Sequence, residues 1–433
     1  MTMSIRMSLK QLQHGIVLEG YCRTECGTVP RDWTKFYLGD IYTERNEPGN
    51  ENLPLLMVSI HSGVSDGEVD EEQLTKKFKR IEDKTQYKRA ESGDLVFNMM
   101  RAWQGAVGTV RTRGMVSPAY IVAKPGDMVD PLFMNFYMRT DRMIKSIHRQ
   151  SYGVTDFRLR LYWDSFAAIP CVLPPLSEQR KIAAILATQD KVIELYERKI
   201  DQLQLLKKNC LRKMFPRHGS DTPEVRFRGF TGTWERKRLG DLFEKNTEKN
   251  CGLIGFDKTI SISNMTYNEF GNGAACDSLS NYKVLRYGDI AFDGHANKEF
   301  QYGRFIVNDI GIGIMSPRFT SLRPINELQT TFWKYYIHFE PVLGRILVNA
   351  TKFGTMMNEL SVPDFLMQYI FIPSISEQKK LGRFFEHFDR LIALNQRKCD
   401  EEKQKKKALM QLLLTGIVRV GEAASCCLEC AEE

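Results

Sequence analysis

At 433 residues the chain is long enough for two or three domains of about 100–200 residues each. Its 42% hydrophobic and 26% charged residues make an ordinary globular balance, which excludes wholesale disorder. No apolar run approaches the roughly 18 residues that a membrane span needs, and a formal charge of +8 suits an acidic partner.

The N-terminal segment, residues 1–30, offers Met1, Met3 and Met7 as starts and shows no apolar core followed by a small-residue cleavage site. No secretory signal is therefore expected, and the first residues should be loose. Ten cysteines are scattered apart from Cys426, Cys427 and Cys430 in the tail. In a long chain without an export signal they read as reduced thiols of a cytoplasmic protein. The tail cluster could grip a soft metal, but no Cys/His pair sits at finger spacing, so an incidental tail is the plainer reading.

From Trp33 onward, short β-branched and aromatic runs lie between Gly, Pro and Asp, among them Asp94-Leu95-Val96-Phe97 and Ala119-Tyr120-Ile121-Val122. Pro131 to Arg149 then carries apolar residues at helical spacing. Pro174-Pro175-Leu176-Ser177-Glu178-Gln179-Arg180-Lys181-Ile182 follows and opens a long helix. Prolines end the extended segment, Ser177 is placed to cap the free amides, and Glu178 sets a carboxylate at the positive end of the helix dipole. Leu186, Ile193, Ile200, Leu203 and Met214 draw a roughly heptad seam along it.

The same order then returns. Trp234 and Leu239-Gly240-Asp241 repeat Trp33 and Leu38-Gly39-Asp40 at an offset of 201, and Gly288-Asp289 repeats Gly93-Asp94 at 195. Ser316-Pro317 repeats Ser117-Pro118, and Pro373-Ser374-Ile375-Ser376-Glu377-Gln378-Lys379-Lys380-Leu381 repeats the helix opening, both at 199. Strand runs recur at Asp289 to Phe292 and Gly303 to Val307, and helical spacing recurs over Glu327 to Val348. Ser376 is the matching cap. Phe385, Phe388 and Ile392 open the second seam, Leu409 and Leu413 close it, Glu401 to Lys407 is charged between them, and Gly416 is a stop. A near-constant offset over a whole half means two copies of one unit.

The class is α+β: two strand-rich heads, each followed by a helix of about 60 Å. Neither helix can bury a seam alone, so the two pack most economically against each other with pseudo-twofold symmetry. Charge follows the helices. Ser177 to Arg217 holds ten Lys/Arg against five Asp/Glu and Ser376 to Val420 eleven against six, leaving the rest slightly negative. That basic excess could meet phosphates or simply solvate an exposed face. Duplex DNA presents its groove every 10–10.5 base pairs, so two unlike heads on one bar suit two unlike half-sites.

With these residues in view, the chain resembles the specificity subunit of a type I restriction–modification system along nearly all its length. The family pattern is a target-recognition domain ending in the Pro-Pro-Leu-Ser-Glu-Gln-Arg-Lys-Ile run and a conserved spacer helix, twice over. Gly93 through Ala106, followed by Val116 to Tyr120, also looks like one recognition-domain subtype. The resemblance implies recognition domains at 31–173 and 221–372, spacer helices at 174–220 and 373–420 packed as an antiparallel coiled coil, and a tail at 421–433. It further implies a bipartite double-stranded DNA site, two docked modification (methyltransferase) subunits and later restriction (motor-nuclease) subunits. S-adenosylmethionine, ATP and Mg would be used by the partners, with no cofactor or metal in this chain. The second half departs from the pattern at Phe292-Asp293-Gly294-His295-Ala296-Asn297 and at Ser374.

Candidate DNA contacts lie in the polar, glycine-bearing stretch before each helix: Arg149, Gln150, Ser151, Tyr152, Thr155 and Arg158, with counterparts Lys352, Thr355 and Asn358. Arg and Lys suit phosphates or guanine, and Gln or Asn suits adenine; a solvated turn is the plain alternative. Arg101, Trp103 and Gln104 form a second group, with His295, Asn297 and Lys298 as equivalents. Trp103 serves equally as a core or hinge aromatic and as a wedge.

Catalysis is not expected. Asp130-Pro131-Leu132-Phe133 lacks the second proline of a methyltransferase motif, and Gly311-Ile312-Gly313 is too short for a dinucleotide loop. There is no phosphate loop. Glu197-Arg198-Lys199, Glu235-Arg236-Lys237 and Glu401-Glu402-Lys403 spell a nuclease only locally. A helical scaffold without sequence-specific DNA binding is the alternative, and sequence preference with salt-sensitive binding separates the two.

Overall fold

The computed structural model describes residues 17, 19–60, 63–65, 83–153, 155, 158–217, 219–271, 273 and 276–420. The tail cysteines Cys426, Cys427 and Cys430 lie outside them. The chain divides into two units, one running to Leu195 and resuming at Cys399, the other spanning Tyr196–Lys398. Both boundaries fall inside 39-residue helices, Leu176–Met214 and Ile375–Leu413, so each unit owns half of each helix. Among the described residues no helix is long and apolar enough to cross a membrane.

The first unit is built on an antiparallel sheet in the order Tyr42–Arg45, Tyr120–Pro125, Leu95–Asn98, Val107–Thr109. Successive side chains leave a strand on opposite faces. Leu95 and Phe97 therefore join a core with Phe133, Tyr137 and Phe166, while Val96 joins a second cluster with Val116 and Val122. The helical stretch is two helices, Pro131–Tyr137 and Asp141–Gln150, because Thr140 caps the second by accepting from the Met143 amide. Asp130, in the run that loosely spells a methyltransferase motif, accepts from the Phe133 amide and starts the first.

The second unit repeats this order as Phe243–Lys245, Thr320–Pro324, Ile290–Asp293, Arg304–Val307. Ile290 and Phe292 enter a core rich in aromatic rings, and Ala291 enters the cluster on the other face. Helices Thr330–Tyr336 and Glu340–Ala350 follow. The second unit adds a four-stranded sheet, Thr266–Asn268, Thr259–Ser261, Gly313–Met315, Lys283–Leu285. At the matching place of the first unit, among the described residues, Gly114–Val116 pairs with Lys88–Ala90 and Met115 bridges Leu55 in parallel.

The repeated Gly-Asp is turn chemistry. Gly93 and Gly288 have φ of 94° and 89°, a region that disfavours a side chain. Asp94 then accepts from the Glu91 amide and Asp289 from the Arg286 amide, each at 2.8 Å. Each buried carboxylate is paired, with Arg45 at 2.7 Å and Arg323 at 2.8 Å.

The helix openings correct one expectation. The helices begin at Leu176 and Ile375, so Ser177 and Ser376 lie inside the first turn and are not the caps. The Pro175 carbonyl takes the Glu178 and Gln179 amides, and in the second copy the Ser374 hydroxyl accepts from the Glu377 amide. Substitution of the second proline by Ser374 thus supplies a cap. The glutamates do more than face a dipole. Glu178 is clamped by Arg419 at 2.8 Å inside the first unit, and Glu377 by Arg226 at 2.6 Å inside the second. Gln179 and Gln378 each donate to the proline carbonyl five residues back.

Leu186, Ile193 and Ile200 are buried on the first seam, and Phe385, Phe388 and Leu413 on the second. In the first unit Gln189 donates to the Glu402 carboxylate and Lys406 pairs with Asp190 at 2.5 Å. In the second, Lys207 pairs with Asp389 at 2.5 Å. Gly416, at φ 72°, follows the second helix, and the Tyr21 hydroxyl donates to its carbonyl at 2.7 Å.

Candidate nucleic-acid interface

In the first unit the strand Leu95–Asn98 runs into a 3-10 turn, Ala102–Gln104, closed by Gly105 at φ 105°. Arg101 and Gln104 are exposed on this turn. Trp103 is half-buried: its indole N–H donates to the Met100 carbonyl at 3.0 Å and its ring meets His148 edge-on at 5.6 Å. The ring also packs against the core of the first unit.

The second candidate group meets the first at this point. The Leu161 amide donates to the Met99 carbonyl at 2.9 Å, and Tyr152 and Arg160 exchange two backbone bonds, at 3.0 and 2.9 Å. Arg149 and Gln150 end the helix exposed, Arg158 is exposed beyond them, and Tyr152 presents its ring. Ser151 turns inward and donates to the Ile147 carbonyl at 2.8 Å. The Thr155 hydroxyl oxygen is buried with no hydrogen-bond partner among the described residues.

The second unit makes the same junction with other residues. The Asn358 amide donates to the Gly294 carbonyl at 2.8 Å, which joins the loop after Ile290–Asp293 to the loop after the second helix. His295 is exposed, its Nδ1 lying 2.7 Å from the buried Asp293, which Arg304 also pairs. Asn297 spends its carbonyl oxygen on the Glu299 and Phe300 amides, both at 2.9 Å, so its side chain shapes a turn. Lys298, Lys352 and Thr355 are exposed. Asn358 is buried, with its amide donating to the Gln301 carbonyl at 3.3 Å.

Arg160, Phe353 and Met356 are exposed on these loops and were not selected from sequence. The signal was present as an aromatic-glycine pair, Tyr152-Gly153 and Phe353-Gly354, at the repeat offset of 201. Both glycines are steric requirements. A Cβ at Gly153 would lie 2.2 Å from the Arg158 carbonyl oxygen, and one at Gly354 2.1 Å from that of Met357.

One electrostatic cluster lies in the scaffold. Arg286, with Arg323 beside it, holds the Glu248 carboxyl down at about 2. The nuclease-like spellings are dispersed: Glu197 and Glu401 lie on the long helices and Glu235 on the strand Glu235–Arg238. Gly311, at φ 119°, turns the chain into the strand Gly313–Met315, with no helix to receive a phosphate.

Residues 231–403 match the family described as the type I restriction modification DNA specificity domain. Two curated relatives from Methanocaldococcus jannaschii extend the likeness over the chain. The type I restriction enzyme MjaVIII specificity subunit is 22% identical, covering 90% of this chain and 94% of its own. The putative MjaX specificity subunit is 20% identical, covering 93% and 97%. The chain is thus similar to type I restriction specificity subunits along most of its length.

Two solved structures share the fold of this chain. One is a chain from a study of complex assembly and conformational transition in a type I R-M system, with TM-score 0.54, 15% identity and coverage of 90% and 99%. The other is the S subunit of the type I system from M. genitalium, with TM-score 0.53, 13% identity and coverage of 88% and 96%. A specificity subunit is the DNA-recognition component of its system.

Proposed function

We propose that the chain reads a bipartite DNA site, one half with the recognition domain at 31–173 and the other with that at 221–372. One observation carries this reading. The same strand order and loop junction are built twice, and the exposed residues at the junctions differ: Arg101, Gln104, Arg149, Gln150, Tyr152 and Arg158 against His295, Lys298, Lys352 and Thr355. A duplicated scaffold with unlike tips reads two unlike sequences. Arginine and lysine supply phosphate and guanine contacts, and glutamine suits adenine.

In this reading the spacer helices, 174–220 and 373–420, form an antiparallel coiled coil with pseudo-twofold symmetry. It holds the spacing and docks two modification subunits, and restriction subunits join later. The opposed order of the Gln189–Glu402, Asp190–Lys406 and Lys207–Asp389 contacts supports that direction of pairing. The chain contributes no catalytic group. S-adenosylmethionine, ATP and Mg belong to the partners, and the complex works in the cytoplasm.

Methylome sequencing of the host with and without this chain tests the reading. One split motif should vanish on deletion, and replacing Trp33–Pro170 with another recognition domain should change one half of the motif only. Unchanged methylation in a host with active partner subunits, or a change in both halves after the swap, would overturn independent reading.

A further inference from the structure

Phe353 is 77% exposed and Met356 86%, three residues apart on one hairpin. Scattered exposed apolar residues are ordinary, so exposure alone decides nothing. The hairpin is nevertheless built to hold them out. Thr351 and Lys352 pair with Leu360 and Glu359 at its base. The Met357 carbonyl closes over Gly354, and the Asn358 amide pins the return strand to Gly294. The Phe353 ring rests by its inner side near Tyr302, with centroids 5.9 Å apart. Its outer side is left to solvent.

The first unit repeats the device with a different ring. Tyr152 is 58% exposed, lies against Tyr162 at 5.2 Å, is bonded both ways to Arg160, and precedes a glycine closed over by the Arg158 carbonyl. Exposed cations lie close by along the chain or ladder: Lys352 precedes Phe353, and Arg149, Arg158 and Tyr152's backbone partner Arg160 are exposed in the other unit. An apolar tip beside a phosphate gains little. Between base pairs it gains stacking, while the cations hold the backbone.

We infer that Phe353, with Met356 beside it, is an apolar wedge that enters a base step of the half-site read by the second domain, and that Tyr152 occupies the matching place in the first. The inference rests on the DNA-reading function above. Phenylalanine and methionine are among the side chains that unstack a step by insertion. Tyrosine, with a polar hydroxyl, stacks at the edge of the groove.

The test uses the full chain assembled with its modification subunits. The probe is a duplex bearing the motif defined by the methylome, with 2-aminopurine placed in turn at each position of the second half. Binding should raise fluorescence at one step. Phe353→Ala should abolish that rise and weaken binding by about 5- to 150-fold, the range for losing one base–aromatic stack. The slope of affinity against salt should stay unchanged, and Phe353→Trp should restore the signal. Lys352→Ala should do the reverse, lowering the salt slope and keeping the fluorescence rise.

The wedge is overturned if the wild-type complex binds its motif with no responding step, or if Phe353→Ala changes neither affinity nor fluorescence. It is equally overturned if replacing thymine by uracil in the half-site weakens binding while no step unstacks, because Phe353 would then touch a methyl group and not enter the stack. A wild-type complex with no sequence preference is a separate outcome, and it refutes the DNA-reading function itself.

Discussion

In the first unit the strand Leu95–Asn98 leads into a tight 3-10 turn carrying Arg101, Trp103 and Gln104. In the second, the equivalent strand Ile290–Asp293 leads into a longer loop carrying His295, Asn297 and Lys298. The strands match residue for residue in role, with alternate side chains buried in two clusters on opposite faces. Interiors are close-packed and tolerate little change of volume, so two copies of one unit stay alike where they are buried. Loop tips carry no such constraint, and there the copies have become different. The lesson is that the two copies differ in short exposed segments hung on a duplicated frame, which is where the proposed function puts specificity.

The largest expected break in the comparison lies at the glutamates opening the two helices. Glu377 is almost wholly buried and Arg226 mostly so, whereas Arg419 is more than a third exposed. Arg226→Ala leaves a buried carboxylate alone and should cost about 3–5 kcal/mol. Arg419→Ala should cost less, about 1–3 kcal/mol, because solvent screens the remaining charge. Denaturant melts of the two variants measure the difference; equal losses would erase the asymmetry.

The glycines at the two tips sharpen the same comparison. Gly153→Ala and Gly354→Ala each place a methyl group against a backbone carbonyl oxygen, 2.2 and 2.1 Å away, and should cost about 1–3 kcal/mol locally. Each should also weaken recognition of its own half-site only, read as methylation of substrates mutated in one half. Loss at both halves from either substitution would show that the tips are not independent.

The smallest effect is one of pH. Burial, helped by Arg304 and Lys207 and opposed by the Phe305 carbonyl and Glu299, holds the His338 imidazole below its ordinary 6.5. The folded unit keeps the ring neutral, so the unfolded chain binds the proton first as pH falls. Stability from this residue is therefore present above 6.5 and is lost as pH drops below it. The matching position in the first unit, at the offset of 199, is Arg139, which does not titrate in this range. Hydrogen exchange read by mass spectrometry at pH 7.5 and 6 should show loosening around His338 in the second unit without an equal change in the first, and His338→Gln should flatten the response.

Much of the frame was legible in the amino-acid order because duplication leaves a signal that no single motif provides. Asp94 to Phe97, Asp289 to Phe292 and the two helix openings declared themselves by recurring. The break at Thr140 was not legible, since Pro131 to Arg149 keeps a helical spacing across it. Nor was the cap: Ser177 and Ser374 are both serines near a helix start, and only backbone geometry places one inside the turn and the other at its edge. At the candidate site the chain order pointed to loops that the fold brings together but could not sort their exposed residues from their buried ones. Ser151, Thr155 and Asn358 look like free polar groups on paper, and all three turn their polar atoms inward.

By itself the sequence determined that two copies of one α+β unit exist, that each opens a long helix with Ser-Glu-Gln, and that the copies differ most at their loops. These follow from local periodicity, turn residues and recurrence, which need no knowledge of distant neighbours. Only the tertiary structure decided that each unit takes half of both long helices, that Glu178 finds Arg419 and Glu377 finds Arg226, and that loops about 60 residues apart meet through Leu161 and Met99 or Asn358 and Gly294. Those partners are far apart in the chain, and a side chain's partner is chosen by how the cores pack, which no local pattern records.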